Sequence, residues 1–265
     1  MRQTLLAVLV LGLTGAGAVD LLLVDDNTWD YIDGHEYHNY ANMDNVEDIL
    51  TDMGVTFHHE HNNRHRYAGI TANPAFLADY RILLWYNDQR VIEQEEYNAV
   101  LDWVKDGNCL VVTGYDSLGN PNDPRMAALV GSSTYGDYPF CDRFIVNLSD
   151  NFIMDGDWGY FSGAYAILPA GKDHDWALPA PGTKSLATTS TGYVMGPAKL
   201  LLTENVGNGG IIIFWNGNWD SIEWWRTTQT MYTVNMFRNM ITHLLSYVNV
   251  ELTSWGGIKD IFSAP

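Results

Sequence analysis

Two hydrophobic patterns alternate along this sequence, and the alternation restricts the fold more than any other feature. Val19-Asp20-Leu21-Leu22-Leu23-Val24 is a nearly continuous apolar run cut off by Asp25-Asp26-Asn27, and Cys109-Leu110-Val111-Val112-Thr113 is another, ending at Gly114-Tyr115-Asp116. A strand without polar alternation must bury both faces, as a central strand of a parallel sheet does. Tyr80 to Tyr86 reads the same way, and Val55-Thr56-Phe57-His58 adds a shorter strand. Between these runs, Val46, Ile49, Leu50 and Met53 recur at helical spacing before Gly54. Tyr97, Val100, Leu101 and Val104 do so after Glu93, Glu95 and Glu96 and before Lys105 and Gly107, with acid at the start, base at the end and glycine as the stop. Strand, helix, strand, strand, helix, strand predicts an α/β fold: three layers, a mostly parallel sheet, and helices on both faces.

The regularity fades from about 118 to 198, which reads as a loop-rich insertion rich in proline and glycine, with short strands at Arg143 to Asn147 and Ala164 to Leu168. It returns in Lys199 to Thr203 and Ile211 to Trp215. The Gly207-Asn208-Gly209-Gly210 turn between these runs predicts a hairpin, and hence an antiparallel edge to the sheet. Val234, Phe237, Ile241 and Leu244 mark a closing amphipathic helix. The expected layout is one domain over 19–250 and a tail over 251–265.

Arg2, the apolar stretch Leu5 to Leu13 and Ala16-Gly17-Ala18 have the charge, core and small-residue pattern of a signal peptide over 1–18, with cleavage before Val19. The mature chain is then expected to be secreted or periplasmic. No segment reaches the roughly 20 apolar residues of a membrane helix. Fourteen Lys and Arg stand against 32 Asp and Glu, a net charge of −18 that repels nucleic-acid backbones and anionic lipid. Cys109 and Cys141 leave a disulfide open but define no framework.

The pattern Leu21-Leu22-Leu23-Val24-Asp25-Asp26, Leu77-Ala78-Asp79-Tyr80-Arg81-Ile82-Leu83-Leu84-Trp85 and Leu101 through Gly114 resembles the class I glutamine amidotransferase-like fold, of flavodoxin-like architecture. It is particularly similar to the non-catalytic versions found in secreted bacterial proteins. Gly209 to Trp215 and the helix after it resemble the end of that domain. Catalytic members carry a cysteine on the turn that corresponds here to Gly114-Tyr115-Asp116-Ser117, whereas Cys109 lies at the other end of the strand. A tyrosine of pKa about 10 cannot replace a thiolate, so amidotransferase activity is not expected. Leu23-Val24-Asp25-Asp26-Asn27 is also similar to the magnesium-holding acidic pair of response-regulator receiver domains. Trp85 and Tyr86 stand where a receiver needs its phospho-accepting aspartate, which argues against phosphotransfer.

In an open parallel sheet, ligands sit beyond the carboxyl ends of the strands where strand order reverses. Asp25, Asp26, Asn27, Tyr115, Asp116 and Ser117 are expected to meet there, as a divalent-cation site, an acid and base couple, or plain loop caps. Asn216, Asn218 and Trp219, near Trp224 and Trp225, place flat rings beside polar groups after the last strand, a combination suited to glycan or peptide. The histidines at 35, 38, 58, 59, 61 and 65 read as a solvated polar loop rather than a metal site. The expected function is a non-catalytic binding or accessory module for glycan or peptide. The alternative is an extracellular hydrolase, acting on carbohydrate through the rim carboxylates, with or without a metal.

Overall fold

The computed structural model describes residues 21–27, 43–61, 71–88, 90–114, 117–119, 122–141, 143–166, 172–191, 194–216 and 231–262. The signal segment at 1–18 lies outside them. The first half alternates as the hydrophobic pattern requires: β1 (Leu21–Asn27), α1 (Met43–Asp52), β2 (Phe57–His61), the single turn α2 (Pro74–Leu77), β3 (Ile82–Asp88), α3 (Gln94–Lys105), β4 (Cys109–Gly114) and α4 (Pro124–Leu129). Strands then dominate: β5 (Ser132–Cys141), β6 (Arg143–Val146), β7 (Asp155–Gly156), β8 (Gly159–Tyr160), β9 (Ala164–Ala166), β10 (Lys172–Pro179), β11 (Lys184–Thr191), β12 (Val194–Val206) and β13 (Gly210–Asn216), before the closing helix α5 (Met231–Phe262).

Nine strands form one mixed sheet in the order β2-β1-β3-β4-β13-β12-β11-β6-β9. The expected parallel sheet is its first half, where β2, β1, β3, β4 and β13 run in one direction. The expected antiparallel edge is larger than one hairpin, since every pairing from β13 to β9 is antiparallel. Three of these strands, β6, β9 and β11, come from the stretch read as a loop-rich insertion, β6 and β9 where short strands were expected, and β5 pairs with β10 in a separate ribbon. Short strands with one face exposed lack the continuous apolar runs that reveal buried ones.

Helices cover both faces. On one, Val46, Ile49 and Leu50 of α1 and Val234, Phe237, Ile241 and Leu244 of α5 pack on Leu21, Leu23, Ile82, Leu84, Val111 and Ile213. On the other, Leu77, Val100, Trp103, Val104, Met126 and Leu129 from α2, α3 and α4 pack on Leu22, Val24, Leu83, Val112 and Phe214, with Ala177 of the ribbon among them. The helices α2 and α4 escape a periodicity search because they are short, yet each has an N-cap signature: Asn73 and Asp123 accept backbone N–H bonds ahead of Pro74 and Pro124.

Two further expectations change. The polar loop expected from His58 is strand through His61, because β2 is an edge strand whose backbone pairs with β1 whatever its side chains. The expected tail from 251 is helical to Phe262, as no proline falls between Met231 and Phe262. Among the described residues, no helix is long and apolar enough to cross a membrane.

Candidate functional site

The carboxyl edge of the parallel strands holds two rows of side chains, one for each face of the sheet. The register aligns Asp25, Tyr86, Thr113 and Trp215 in one row and Asp26, Asn87, Gly114 and Asn216 in the next. Consecutive strand residues point to opposite faces. Asp25 therefore shares the face of Leu21 and Leu23, toward α1 and α5, while Asp26 shares that of Leu22 and Val24, toward α3. Both are buried, Asp25 at 7% exposure and Asp26 at 2%. The expectation that these neighbouring carboxylates converge is corrected by this alternation. Asn27 ends the strand opposite Asp88. Tyr115, Asp116, Asn218 and Trp219 lie outside the described residues.

Asp26 belongs to a buried network that the sequence did not reveal. Arg90 donates from Nη1 to Asp26 Oδ2 and from Nη2 to Glu96 Oε2 at 2.7 Å, and the Trp85 indole reaches the same Asp26 oxygen at 3.4 Å. Glu96, fully buried, also accepts from the Thr71 hydroxyl and from Glu93 N at 2.8 Å, the latter closing the N-terminal capping box of α3. One guanidinium thus serves two carboxylates. Burial pushes the Asp26 carboxyl up to about 7, against the pull of Arg90 and with the help of the nearby Glu96 charge. The two carboxylates together hold the Arg90 guanidinium even more firmly charged than usual, although its own burial opposes this. The Glu93 to Glu96 spacing signals a capping box; nothing in the pattern shows that Glu96 turns inward to Arg90.

Other residues near this edge are braced by backbone. Asn216 accepts from Asp175 N at 3.0 Å and donates to Asp175 O at 2.6 Å and Ala198 O at 2.9 Å, tying β13 to β10 and β12. The Asp175 carboxylate in turn accepts from Leu118 N and Gly119 N, both at 2.7 Å, fixing the loop after β4. Ser117 donates to Asn87 O at 2.8 Å. Asp123 accepts from Ile92 N at 2.7 Å while capping α4. Gly114 has φ +153°, and a Cβ there would lie 1.8 Å from Asn87 O, so the strand ends in a turn that admits only glycine. Ser117 and Asn216, read from sequence as ligand contacts, use these polar atoms on the backbone of neighbouring segments.

The described histidines serve their surroundings as well. His58 bonds the Tyr80 hydroxyl, and His59 bonds Glu47 of α1. Among the described residues, no group of three or more His, Cys, Asp or Glu side chains is placed to hold a metal ion. Cys109 is a thiol buried in the core, at the amino end of β4.

No protein-family model and no curated protein matches the sequence. In fold, the chain is similar to the mmIFT52 N-terminal domain, with a TM-score of 0.57 at 7% identity over 84% of this chain and 96% of that one. It is also similar to a β-galactosidase from Rahnella sp. R3, with a TM-score of 0.54 at 12% identity over 85% of this chain and 31% of that one. For α-L-fucosidase isoenzyme 2 from Paenibacillus thiaminolyticus the TM-score is 0.52 at 12% identity, over 86% of this chain and 33% of that one. The chain spans about a third of the length of these two glycosidase chains. At such identities the likeness is one of fold alone, an α/β domain built on a mixed sheet.

Proposed function

We propose that this chain is a secreted, non-catalytic amidotransferase-like domain that serves as a glycan-binding or accessory module. One observation carries the reading: among the described residues at the carboxyl edge, where chemistry would be expected, Asp26, Ser117 and Asn216 direct their polar groups to the domain's own side chains and backbone. An acid and base couple needs two carboxylates converging on one substrate. Asp25 and Asp26 face opposite layers, and Asp26 is held by Arg90 and Trp85. This counts against the hydrolase alternative. A thiol mechanism has no candidate in Cys109, which is buried at the wrong end of β4.

The flavodoxin-like part of the reading is supported by the order β2-β1-β3-β4-β13, the doubly wound order, with α1 and α5 on one face and α2 to α4 on the other. Glycan is favoured over peptide because two of the chains this fold resembles, over about a third of their length, are a β-galactosidase and an α-L-fucosidase. Fold likeness is an analogy, so the test is biochemical. Purified protein beginning near Val19 is incubated with neutral oligosaccharides and with glutamine. Retention of sugar without release of reducing ends or ammonia is the expected result. Turnover that disappears in Asp26→Asn would restore the hydrolase reading, and turnover that disappears in Cys109→Ser would restore thiol catalysis. Export is tested separately, by mass spectrometry of the secreted product, which is expected to begin near Val19.

A further inference from the structure

We propose that Trp158 and Tyr160, on the β7–β8 hairpin, form the platform on which this domain binds a neutral saccharide. The proposal rests on the glycan-binding reading and gives it a location far from the strand edge. Among the described residues, the large apolar side chains left exposed are Leu148 at 46%, Trp158 at 39% and Tyr160 at 61%, all within one short stretch of chain. Scattered exposed apolar residues need no explanation, but a local concentration of them marks an interaction surface.

These rings are held in place rather than loose. Trp158 donates from its backbone N to Asn239 Oδ1 at 2.8 Å and from its indole Nε1 to Thr242 Oγ1 at 3.2 Å. The Arg238 guanidinium lies 4.6 Å from the centre of the indole and pairs with Asp52 at 2.9 Å. The Tyr160 hydroxyl donates to Ser149 Oγ at 3.0 Å. Asn239, itself 2% exposed, donates to Ile153 O at 3.2 Å and Gly159 O at 3.0 Å, so one buried amide fastens the whole hairpin to α5. Gly156 belongs to the same fastening, since a Cβ there would lie 2.7 Å from Asn239 Oδ1. A mere connection between β6 and β9 needs neither exposed rings nor a buried anchor. Rings fixed before contact lose little conformational entropy on binding, which is how a small surface gains useful affinity.

The surrounding charge selects the occupant. Asp155, paired with Tyr160 across the hairpin, Asp157, next to Trp158 in the chain, and Asp150, next to Ser149, are all exposed, and Arg238, over the indole, is already paired with Asp52. Carboxylates accept hydrogen bonds from sugar hydroxyls and repel phosphate, sulfate and uronic acid groups. An aromatic face offers apolar area to the C–H face of a pyranose. Rings and acceptors together therefore fit an uncharged saccharide.

The test is titration calorimetry of the full domain with neutral gluco-, manno- and galacto-oligosaccharides, and with polygalacturonate as an acidic comparison. Neutral sugar is expected to bind, with affinity falling about fivefold or more in Trp158→Ala and in Tyr160→Ala, and little in Tyr160→Phe, which keeps the ring. Should Trp158→Ala fail to fold, Tyr160→Ala carries the result. Undiminished binding in both alanine variants overturns the platform and leaves the glycan-binding reading standing, whereas absence of any neutral-sugar binding removes both. Preference for polygalacturonate, or self-association lost in Tyr160→Ala by sedimentation equilibrium, also overturns the proposal.

Discussion

At the carboxyl edge of the parallel strands, Asp26 is buried facing Arg90, which also faces Glu96; at the β7–β8 hairpin, apolar side chains face water. Both departures from the usual partition oppose folding, and the two are offset differently. Asp26, Arg90 and Glu96 satisfy one another inside the protein, so their partners are internal. Trp158 and Tyr160 are anchored at their polar ends, through Thr242 and Ser149, with Arg238 over the indole, and much of their surface stays in water. A buried, satisfied network points to architecture, whereas exposed and rigid rings point outward to a ligand.

The contrast is broken most forcefully at Arg90. Arg90→Ala leaves two buried carboxylates without their cation and is expected to destabilise the fold by about 3 to 5 kcal/mol in urea unfolding. A loss below about 1 kcal/mol, the range of surface ion pairs, would mean that the network is not closed to water.

Asp26→Asn sharpens the comparison through pH. The folded carboxyl is pushed up to about 7 from 3.8, so between these values the folded protein keeps a proton that the unfolded chain has released. Stability from this group is therefore full below pH 3.8 and is lost as pH rises toward 7, by up to about 4 kcal/mol. The variant lacks this loss. Its stability relative to wild type is expected to climb across the window, measured by denaturant titration at several pH values. A difference that stays flat would show that Arg90 keeps Asp26 ionised throughout.

Asn216→Ala comes next. It removes three buried hydrogen bonds that join β13 to β10 and β12, for an expected loss of about 2 to 3 kcal/mol. If Asn216 were instead a ligand contact held apart from the scaffold, thermal stability would be nearly unchanged while binding fell.

These regions also differ in how far the sequence discloses them. The apolar runs at Leu21 to Val24, Cys109 to Val112 and Ile211 to Trp215 are legible because a parallel strand covered on both sides cannot be anything but apolar. The ribbon of β5 and β10 is not, because Gly136, Pro139 and Pro179 interrupt the pattern and much of β5 is solvent-facing. His58 to His61 looks like loop because an edge strand owes its pairing to backbone. At the candidate site, the position of Asp25 and Asp26 is readable from the end of an apolar run. Their opposite orientations follow from strand alternation once the strand is known to continue to Asn27. Arg90 lies between β3 and α3 without any periodic context, and Asp175 reaches Leu118 from far along the chain, so neither contact is encoded locally. The Trp158 hairpin hides for the same reason: its anchor, Asn239, is a polar residue within the apolar pattern of α5.

The smallest expected effect on stability is the one that separates the two regions most cleanly. Tyr160 is 61% exposed, and its hydroxyl bonds another surface group, Ser149, at 3.0 Å. Replacing it with alanine removes little buried apolar area and leaves no buried donor or acceptor unpaired, so the fold should change by no more than about 0.5 kcal/mol. In wild type the exposed ring stands ready for a partner, and its removal should register in binding instead. Arg90→Ala is the mirror case, with a large loss of stability and no direct contact removed from the hairpin. Thermal melts of Tyr160→Ala are the measurement. A drop of several degrees would place the ring among the supports of the β7–β8 hairpin, and the division between an internal polar network and an outward aromatic surface would fail at its second member.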